Sequence, residues 1–494
     1  MKAFASSLSA WKHLERQEGV QVPHGLVFPL AVIEAIGAPH GLELTAEEHV
    51  DTGRPDGFDA VFISVLDARC MVETGEHFTR WGLPLRAADR TPDMPLVWAG
   101  GSGLHNPAPY GAIADLIVVG DAEAPLPILL DLWATHGNGT RFLSAAAAVP
   151  GVWVPSVHDP GTPIIQQVAD DIAITLRHNI SVNHDGRRRI EIARGCRFSC
   201  DFCSLGWRTP YRENTTEAIV GEIRRSPKLV HLQAGDAESH SGIDDIRTQL
   251  AESGGYDSGW TGRLDSLLDN PDTTISGQKR YAFGVEGVSE RLRRSVGKGY
   301  LTDERLASDT VTFLARVQED HAGRAAWHVI AGLPGQRPME SLQLGDVVRS
   351  IAKRLPRSTT RRNLSLHWQP FSPLPGTPMQ WAAAGSGARQ CASTLDRLKT
   401  LDRLNVKHVV GRTDAMSKMC AVIGRSDARA VRFFERSAPM TPDQAASATG
   451  STYGPLDPDD PLPWDFVVTH HDRGFLVDRW RKRQAFLNQQ VARR

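Results

Sequence analysis

The chain contains 494 residues, of which 41% are hydrophobic and 23% charged. This balance is typical of a globular protein with roughly two to four domains. Its formal net charge of −1 excludes a strong long-range field that would gather nucleic acid, although a local basic groove remains compatible with it. The sequence shows neither a signal peptide nor an apolar stretch that could cross a membrane. Its six cysteines are too few for a disulfide scaffold. We therefore expect a cytoplasmic protein.

The N-terminal part predicts an α/β domain. Short apolar runs that end in polar or glycine turns occupy residues 58–67, 93–101 and 114–134, and the third run continues into a helical pattern. Such strands favour a parallel sheet covered on both faces. Ligands of these sheets lie beyond the carboxyl ends of the strands, where this chain has the glycine-bearing segments 99–103 and 120–124. Glycine after a strand is, however, more often only a turn.

A longer series of strands and helices begins near residue 185. The predicted strands cover residues 188–195, 229–235, 259–266, 280–287, 325–335 and 363–373. The predicted helices between them include residues 215–225, 302–320 and 339–355. Repeated strand–helix units indicate a parallel sheet or a barrel, whose sites collect where the strands end.

The C-terminal part has weaker patterns. Residues 385–390 and 445–454 are rich in small residues and are typical of loops or linkers. The end of the chain, FLVDRWRKRQAFLNQQVARR, predicts a basic helix whose charges we interpret as a solvated face.

Half of the cysteines lie in one segment, RGCRFSCDFCS, at Cys196, Cys200 and Cys203. Thiolates this close bind a metal, form a disulfide or carry out redox chemistry. Structural zinc needs four ligands, and neither His178 nor His184 has the spacing of a zinc finger. Three cysteines can hold an iron–sulfur cubane and leave one iron open for a cofactor. We therefore favour a cluster over zinc, and over an incidental group of buried cysteines.

The C-x3-C-x2-C spacing, with the aromatic Phe202 before the last cysteine, resembles the radical S-adenosyl-L-methionine (SAM) superfamily. The resemblance implies a partial (β/α)6 barrel in which the three cysteines hold a 4Fe–4S cluster. It also implies that the cluster binds SAM and cleaves it reductively to methionine and a 5′-deoxyadenosyl radical.

Later strand ends resemble the same superfamily. The resemblance at LQAGDAE implies contacts of Gly235 and Asp236 with the SAM amino group. The segment GLPG has two interpretations: Gly332 lies near the adenine of SAM, or it only forms a tight turn. FGVEGVSERLRRSVGKG resembles the fourth-strand segment of cobalamin-type and methylthiotransferase-type members. The SAM-facing residues implied there are Glu286, Ser289, Arg291 and Lys298. We expect Arg293 and Arg294 to point into solvent.

Residues 58–70, 82–101 and 106–132 look like part of a radical SAM group with a cobalamin-binding-type domain. The motif D-x-H-x-x-G, whose histidine replaces the nucleotide base on cobalt, is absent, so the domain either binds cobalamin without a histidine or is an empty relic. The candidate cobalamin residues are Gly100, Gly101, Ser102, Gly120 and Glu123. The predicted organisation is α/β, with a Rossmann-like cobalamin-binding-type domain (1–165), a partial radical SAM barrel (185–384) and a small helical or mixed extension (385–494).

The favoured hypothesis is a cobalamin-dependent radical SAM methyltransferase that acts on an unactivated carbon. Arg208 and Arg212 follow the cysteines and would grip an anionic substrate, or else lie on the surface. A flavodoxin- or ferredoxin-like protein would supply electrons.

Two other hypotheses stay open. One is a cobalamin-independent radical SAM enzyme that modifies a nucleic-acid base or a protein side chain, with the arginine-rich C-terminus docking RNA or DNA. The other is a non-enzymatic iron–sulfur or zinc protein that binds a partner or senses redox state.

Overall fold

The computed structural model describes residues 1–6, 8, 27–47, 54–177, 188–225, 229–257, 261–269, 280–317, 324–357 and 361–492. The chain divides into two compact units, neither of which is one continuous segment. The first unit consists of Met1–Arg189, Leu374–Gly376 and Met419–Arg473. The second consists of Ile190–Pro373, Thr377–Lys418 and Gly474–Arg494. Residues 385–494, which the sequence predicts as one extension, are therefore shared between the two units.

The strands of the described residues are, in chain order, β1 (Lys2–Ser6), β2 (Glu43–Ala46), β3 (Ala60–Ser64), β4 (Leu96–Gly100), β5 (Leu116–Val118), β6 (Val152–Trp153), β7 (Ile164–Ile165), β8 (Arg188–Glu191), β9 (Ala193–Arg194), β10 (Arg212–Glu213), β11 (Leu229–Gln233), β12 (Tyr256–Asp257), β13 (Thr261–Gly262), β14 (Arg280–Glu286), β15 (Arg324–Ala331), β16 (Arg362–Pro370), β17 (Thr400–Leu401), β18 (Leu404–Val410) and β19 (Val467–Val468).

The helices of the same residues are α1 (Val27–Gly37), α2 (Ala68–Val72), α3 (Thr74–Trp81), α4 (Pro125–His136), α5 (Thr140–Ala146), α6 (Ile174–Arg177), α7 (Leu205–Arg208), α8 (Thr216–Arg225), α9 (Ile243–Glu252), α10 (Leu264–Asp269), α11 (Glu290–Ser295), α12 (Asp303–Arg316), α13 (Ser341–Arg354), α14 (Ala388–Thr394), α15 (Asp414–Gly424), α16 (Val431–Phe434), α17 (Pro442–Thr449) and α18 (Arg473–Ala492). Within the described ranges, no helix combines the length and the apolar character that crossing a membrane requires.

The first unit is built on a sheet with the strand order β2-β1-β3-β4-β5-β6. Its first five strands pair in parallel, and β6 is antiparallel to β5. Every residue of β3 is buried, as expected for a strand with both faces covered. The predicted strands within 58–67, 93–101 and 114–134 are confirmed by β3, β4 and β5.

Aromatic side chains fill the core on one face of this sheet. The ring of Trp98 stacks on Phe142 with centroids 5.4 Å apart and an interplanar angle of 13°. Phe62 and Trp133 pack against the same indole, at 4.9 and 5.3 Å. Because these residues come from β3, β4, α4 and α5, the cluster joins the sheet to the helices that cover it.

The second unit continues the strand–helix alternation. Its described strands form one sheet of order β12-β11-β8 and another of order β13-β14-β15-β16-β18-β17. The two sheets are separated in the chain at residues 258–260, which lie outside the described residues. The consecutive pairs from β13 to β16 are parallel, which confirms the predicted α/β class.

Strand β14 separates a helix-covered face from the face that carries the candidate site. Tyr281 and Phe283 point to the helix side, where both rings contact Phe313 of α12 at 5.1 and 5.0 Å. Side chains alternate along a strand, so Gly284 faces the opposite side. That opposite face leads to Glu286 at the end of the strand.

Two C-terminal elements differ from the sequence-based expectation. Strand β18, which falls in the predicted extension, pairs in parallel with β16 and so widens the sheet of the second unit. The predicted loop at 445–454 was wrong over its first half, because α17 extends to Thr449. Helix α17 begins with a capping box in which Thr441 and Gln444 bond each other's backbone, and Pro442 occupies its first turn.

Candidate functional site

The three neighbouring cysteines lie in a loop that follows β9 and precedes α7, here called the cysteine loop (residues 195–204). All three are half-buried free thiols. The Cys203 amide donates to the Cys200 carbonyl at 3.0 Å, and the Trp207 indole N–H donates to the same carbonyl at 2.8 Å. The loop is therefore folded by its own backbone and by the first helix after it.

The surroundings of the thiols are poorly hydrated, and two cations lie near Cys200. Loss of hydration raises the pKa of Cys200 to about 11 and that of Cys203 to about 12. The positive charges of Lys298 and Arg263 act in the opposite direction on Cys200. Metal binding at this loop therefore has to displace thiol protons, and it does so beside two cations that stabilise thiolates.

The donor set fits an iron–sulfur cluster. Among the described residues, no three His, Cys, Asp or Glu side chains meet around a position where one ion could bind. Four ligands around zinc would bring sulfurs to within about 4 Å of one another. In a cubane each cysteine binds a different iron, so its thiols need not converge on one point.

The turn after β11 packs directly on the cysteine loop. A Cβ at Gly235 would lie 2.8 Å from the Gly195 carbonyl oxygen and 3.3 Å from Cys196 Cβ, so any side chain there would push the two segments apart. Asp236 is buried and accepts hydrogen bonds from Ser239 Oγ at 2.5 Å and from the Arg263 amide at 3.1 Å. Burial raises the pKa of this carboxyl group.

Glu286 and Lys298 form an ion pair on the open face of β14. Lys298 Nζ lies 3.1 Å from Glu286 Oε1 and donates to the Gly284 carbonyl at 2.6 Å. Burial acts to lower the pKa of the Lys298 ammonium group, but the combined attraction of Glu286, Cys200 and Tyr300 raises that pKa above its usual range. A Cβ at Gly284 would collide with both charged groups, so glycine makes the room that the pair occupies.

Backbone strain marks the same position. Glu286 has φ +65°, in the left-handed region, and the register of β14 against β15 shifts between Gly284 and Glu286. A non-glycine residue in this region costs of order 1–3 kcal/mol, and such strain concentrates at ligand sites. Gly297, next to Lys298, lies so close to the cysteine loop that a Cβ there would be 3.6 Å from Cys200 Cα. The ion pair therefore borders the thiols.

Ser289 and Arg291, for which the resemblance implies contacts with SAM, both contact Glu340. Ser289 Oγ donates to Glu340 Oε1 at 2.7 Å, and Arg291 binds both carboxylate oxygens, with Nη2 at 2.8 Å from Oε2. Arg291 Nη2 also donates to the Gly335 carbonyl at 2.7 Å. The sequence analysis missed Glu340, because no local motif reveals a carboxylate that pairs with residues about fifty positions away.

The prediction for Arg293 was wrong. Its side chain is fully buried, donates to the Leu301 carbonyl at 2.6 Å and forms an ion pair with Asp303. The guanidinium thus holds the segment that carries Lys298, which explains its burial. Arg294 is exposed beside Glu290, as predicted.

Arg263 is a site residue to which the sequence analysis assigned no role. Its guanidinium lies between two rings, 4.2 Å from the centroid of Phe198 in the cysteine loop and 3.6 Å from that of Tyr300. Asp265 holds the same guanidinium at 3.1 and 2.6 Å. The only signal was its position at the end of a predicted strand.

The remaining candidates of the second unit are dispersed. Phe202 is half-buried within the cysteine loop. Gly332 has φ +71° and packs on Gly385 and Ser386, where a Cβ would lie 2.8 Å from Gly385 Cα; its position near adenine stays a prediction. Arg208 is buried, which overturns the surface alternative, and burial lowers its pKa to about 10. Arg212 is half-buried in β10, and its Nε donates to a backbone carbonyl at 3.3 Å.

The candidate cobalamin residues of the first unit follow β4 and β5. Gly101 has φ +115°, and a Cβ there would lie 2.7 Å from the Val65 amide nitrogen. Gly120 has φ +98°, and its Cβ would lie 2.7 Å from the Gln167 amide nitrogen. Close packing on the chain's own backbone therefore accounts for both glycines without a ligand. Gly100, Ser102 and Glu123 lie beside them at the same strand ends.

Residues 31–155 match the family model described as "Radical SAM proteins, N-terminal". These residues are similar to the N-terminal domain of radical SAM proteins, in agreement with the resemblance drawn from the sequence.

Two solved structures are similar to the chain. One is the radical SAM methyltransferase TsrM from Kitasatospora setae, determined with cobalamin and a 4Fe-4S cluster, which is 15% identical with a TM-score of 0.48 over 100% of this chain and 99% of that chain. The other is the cobalamin-dependent SAM radical enzyme OxsB, which is 12% identical with a TM-score of 0.44 over 70% of this chain and 51% of that chain. No curated protein matches the sequence.

Proposed function

We propose that this protein is a radical SAM enzyme. The observation that carries the proposal is one continuous arrangement in the second unit: three free thiols in one loop, the backbone of Gly235 against that loop, and the ion pair of Glu286 and Lys298 at its border. The N-terminal family match supports the same class.

When bound, a 4Fe–4S cluster supplies the electron that cleaves SAM, and cobalamin supplies a methyl group. Cys196, Cys200 and Cys203 would hold the cluster. Glu286 and Lys298 present an anion and a cation side by side, which is what the zwitterionic end of SAM requires. Asp236 is held in place by two hydrogen bonds at the end of the neighbouring sheet and would extend the same polar surface.

We further propose that the reaction is a cobalamin-dependent methyl transfer to an unactivated carbon. The support is the parallel sheet of the first unit, whose strand ends carry the candidate cobalamin residues. Arg208 and Arg212 are the proposed contacts to an anionic substrate, and a flavodoxin- or ferredoxin-like protein is the proposed reductant in a cytoplasmic setting.

A radical SAM reaction without cobalamin is the second candidate. The packing of Gly101 and Gly120 is compatible with it, because the fold needs both glycines whether or not cobalamin binds. The two candidates share the cluster and SAM, and they differ in the occupant of the first unit.

Anaerobic reconstitution with iron and sulfide tests the class. We expect about four irons and four sulfides per chain and, with dithionite and SAM, release of 5′-deoxyadenosine. Cys200→Ala should abolish both, whereas Cys420→Ala, at a buried cysteine of the first unit, should leave both intact. Bound zinc, or nucleoside release by Cys200→Ala, would refute the proposal.

Purification from cells grown with cobalamin separates the two candidates. Retained cobalamin, seen in the visible absorption spectrum, supports the methyltransferase. Deoxyadenosine formation by a reconstituted protein that does not take up cobalamin supports the second candidate.

A further inference from the structure

The C-terminal helix α18 presents one buried face. Its buried apolar residues are Leu476, Val477, Trp480 and Leu487. Arg483 lies on the same face and is only 4% exposed. The sequence analysis interpreted the basic residues of this helix as a solvated face, and for Arg483 that interpretation was wrong.

One end of the helix holds the cysteine loop. Arg479 Nε donates to Asp201 Oδ1 at 2.9 Å, and Asp201, next to Cys200, is only 3% exposed. The Asp201 amide donates to the Val296 carbonyl at 3.3 Å, so the loop is also attached to the end of α11. The Arg479 guanidinium is 5.8 Å from the ring centroid of Trp207, whose indole binds the Cys200 carbonyl.

The middle of the helix holds two other segments. Arg483 Nη2 donates to the Pro334 carbonyl at 2.9 Å and lies 3.4 Å from Ser295 Oγ. Leu487 packs on the next residue of that turn, Gly335, where a Cβ would lie 2.8 Å from Leu487 Cδ1. Three segments that are distant in sequence, the cysteine loop, the end of α11 and the turn after β15, thus meet on one helix.

We propose that α18 is a strap that positions the cysteine loop, with Arg479 and Arg483 as its positioning residues. This inference rests on the proposed function, because a helix that positions the cysteine loop matters for the cluster that the loop would hold. The ion pair of Arg479 with Asp201 fixes the loop between Cys200 and Cys203. Removing one partner of a pair that contains a buried charge leaves that charge uncompensated, so the loop has to open to hydrate Asp201. The pair also sets the charge next to the cluster.

Hydrogen exchange of the iron-free protein tests the positioning. In Arg479→Gln we expect the amides of residues 195–208 to exchange about tenfold faster or more, with β15 and β16 unchanged. Arg479→Lys, which keeps the charge, should recover most of the protection. Lys482→Gln is the matched control, because Lys482 is exposed on the same helix. Unchanged exchange in Arg479→Gln, or an equal effect of Lys482→Gln, would overturn the proposal.

The midpoint potential of the reconstituted cluster tests the charge. Arg479→Gln removes a positive charge and should make the potential more negative, Asp201→Asn should make it more positive, and the double variant should lie between them. If the two residues only supported the structure of the loop, the shifts in midpoint potential would not follow the sign of the charge removed. Equal potentials in Arg479→Gln and Asp201→Asn would therefore overturn the inference about charge. If the wild-type protein takes up no cluster, the proposed function fails while the exchange experiment still tests the strap.

Discussion

Glu286 and Lys298 form an ion pair whose side chains are 13% and 10% exposed, so removing either partner leaves the charge of the other nearly buried and without its counter-ion. Breaking a fully buried pair from one side costs about 3–5 kcal/mol. Because both side chains keep some exposure, we expect Glu286→Gln and Lys298→Met each to lower the stability of the second unit by about 2–4 kcal/mol. In Glu286→Gln the lysine keeps its hydrogen bond to the Gly284 carbonyl, whereas Lys298→Met removes it. The double variant should cost less than the sum of the single variants, with a coupling of about 2 kcal/mol.

The backbone of Glu286 adds a second, opposing effect. Its φ of +65° is a conformation that glycine adopts without steric cost. Glu286→Gly loses the ion pair but relieves about 1 kcal/mol of strain, so it should be less destabilising than Glu286→Gln by about that amount. A larger truncation is thus expected to be milder than an isosteric substitution.

Native-state hydrogen exchange of the β14 and β15 amides in increasing urea measures these values, because it reports the opening of the second unit alone. Single-variant losses below about 0.5 kcal/mol, or losses that simply add in the double variant, would refute the assignment of a coupled, nearly buried pair. Glu286→Gln more stable than Glu286→Gly would refute the strain argument.

Three further predictions concern single residues. His77 is buried, and burial lowers its pKa from 6.5 to about 4. Its contribution to the free energy of unfolding is therefore complete above pH 6.5 and falls as the pH drops towards 4. Urea unfolding should show a free energy of unfolding roughly 2 kcal/mol lower at pH 5.0 than at pH 7.5, and His77→Leu should remove this difference. Gly101→Ala should destabilise the first unit by about 3 kcal/mol or more in thermal unfolding. The control Gly161→Ala, at φ +84° with no atom within 4 Å of the new Cβ, should cost only about 1 kcal/mol. Equal losses of stability in the two variants would contradict the close packing of Gly101 on Val65. Glu340→Gln removes the charged acceptor shared by Ser289, the N-cap of α11, and Arg291 within it, and should speed exchange of the α11 amides about tenfold. Unchanged exchange would show that Glu340 does not hold this segment.

The strands and the cysteine loop were predictable because their signals are local. An apolar run as short as residues 60–64, bounded by turn residues, is typical of a strand buried inside a sheet. The spacing of Cys196, Cys200 and Cys203 is itself the motif, and Glu286 was found from the segment around it. No long-range information is needed for any of these.

The partners of charged residues were not predictable. Arg293 and Arg483 lie in sequences as basic as a solvated helix, yet each is buried because a backbone carbonyl outside its own helix, that of Leu301 or Pro334, accepts its hydrogen bond. Glu340 and Asp201 became identifiable only once the fold had placed Arg291 and Arg479 beside them. Strand β18 was missed because its residues alternate between buried and exposed, so its apolar run is broken.

The discontinuous composition of the two units has a consequence for biosynthesis. The chain passes between them at five points, after residues 189, 373, 376, 418 and 473. In the first unit Ile164 of β7 pairs with Val467 of β19, about three hundred positions later. While the ribosome is still making the strands of the second unit, β7 lacks this partner and its backbone groups stay unpaired. A nascent chain arrested before residue 467 should accordingly depend on chaperones, and a shortened gene that ends at residue 384 should yield neither unit intact.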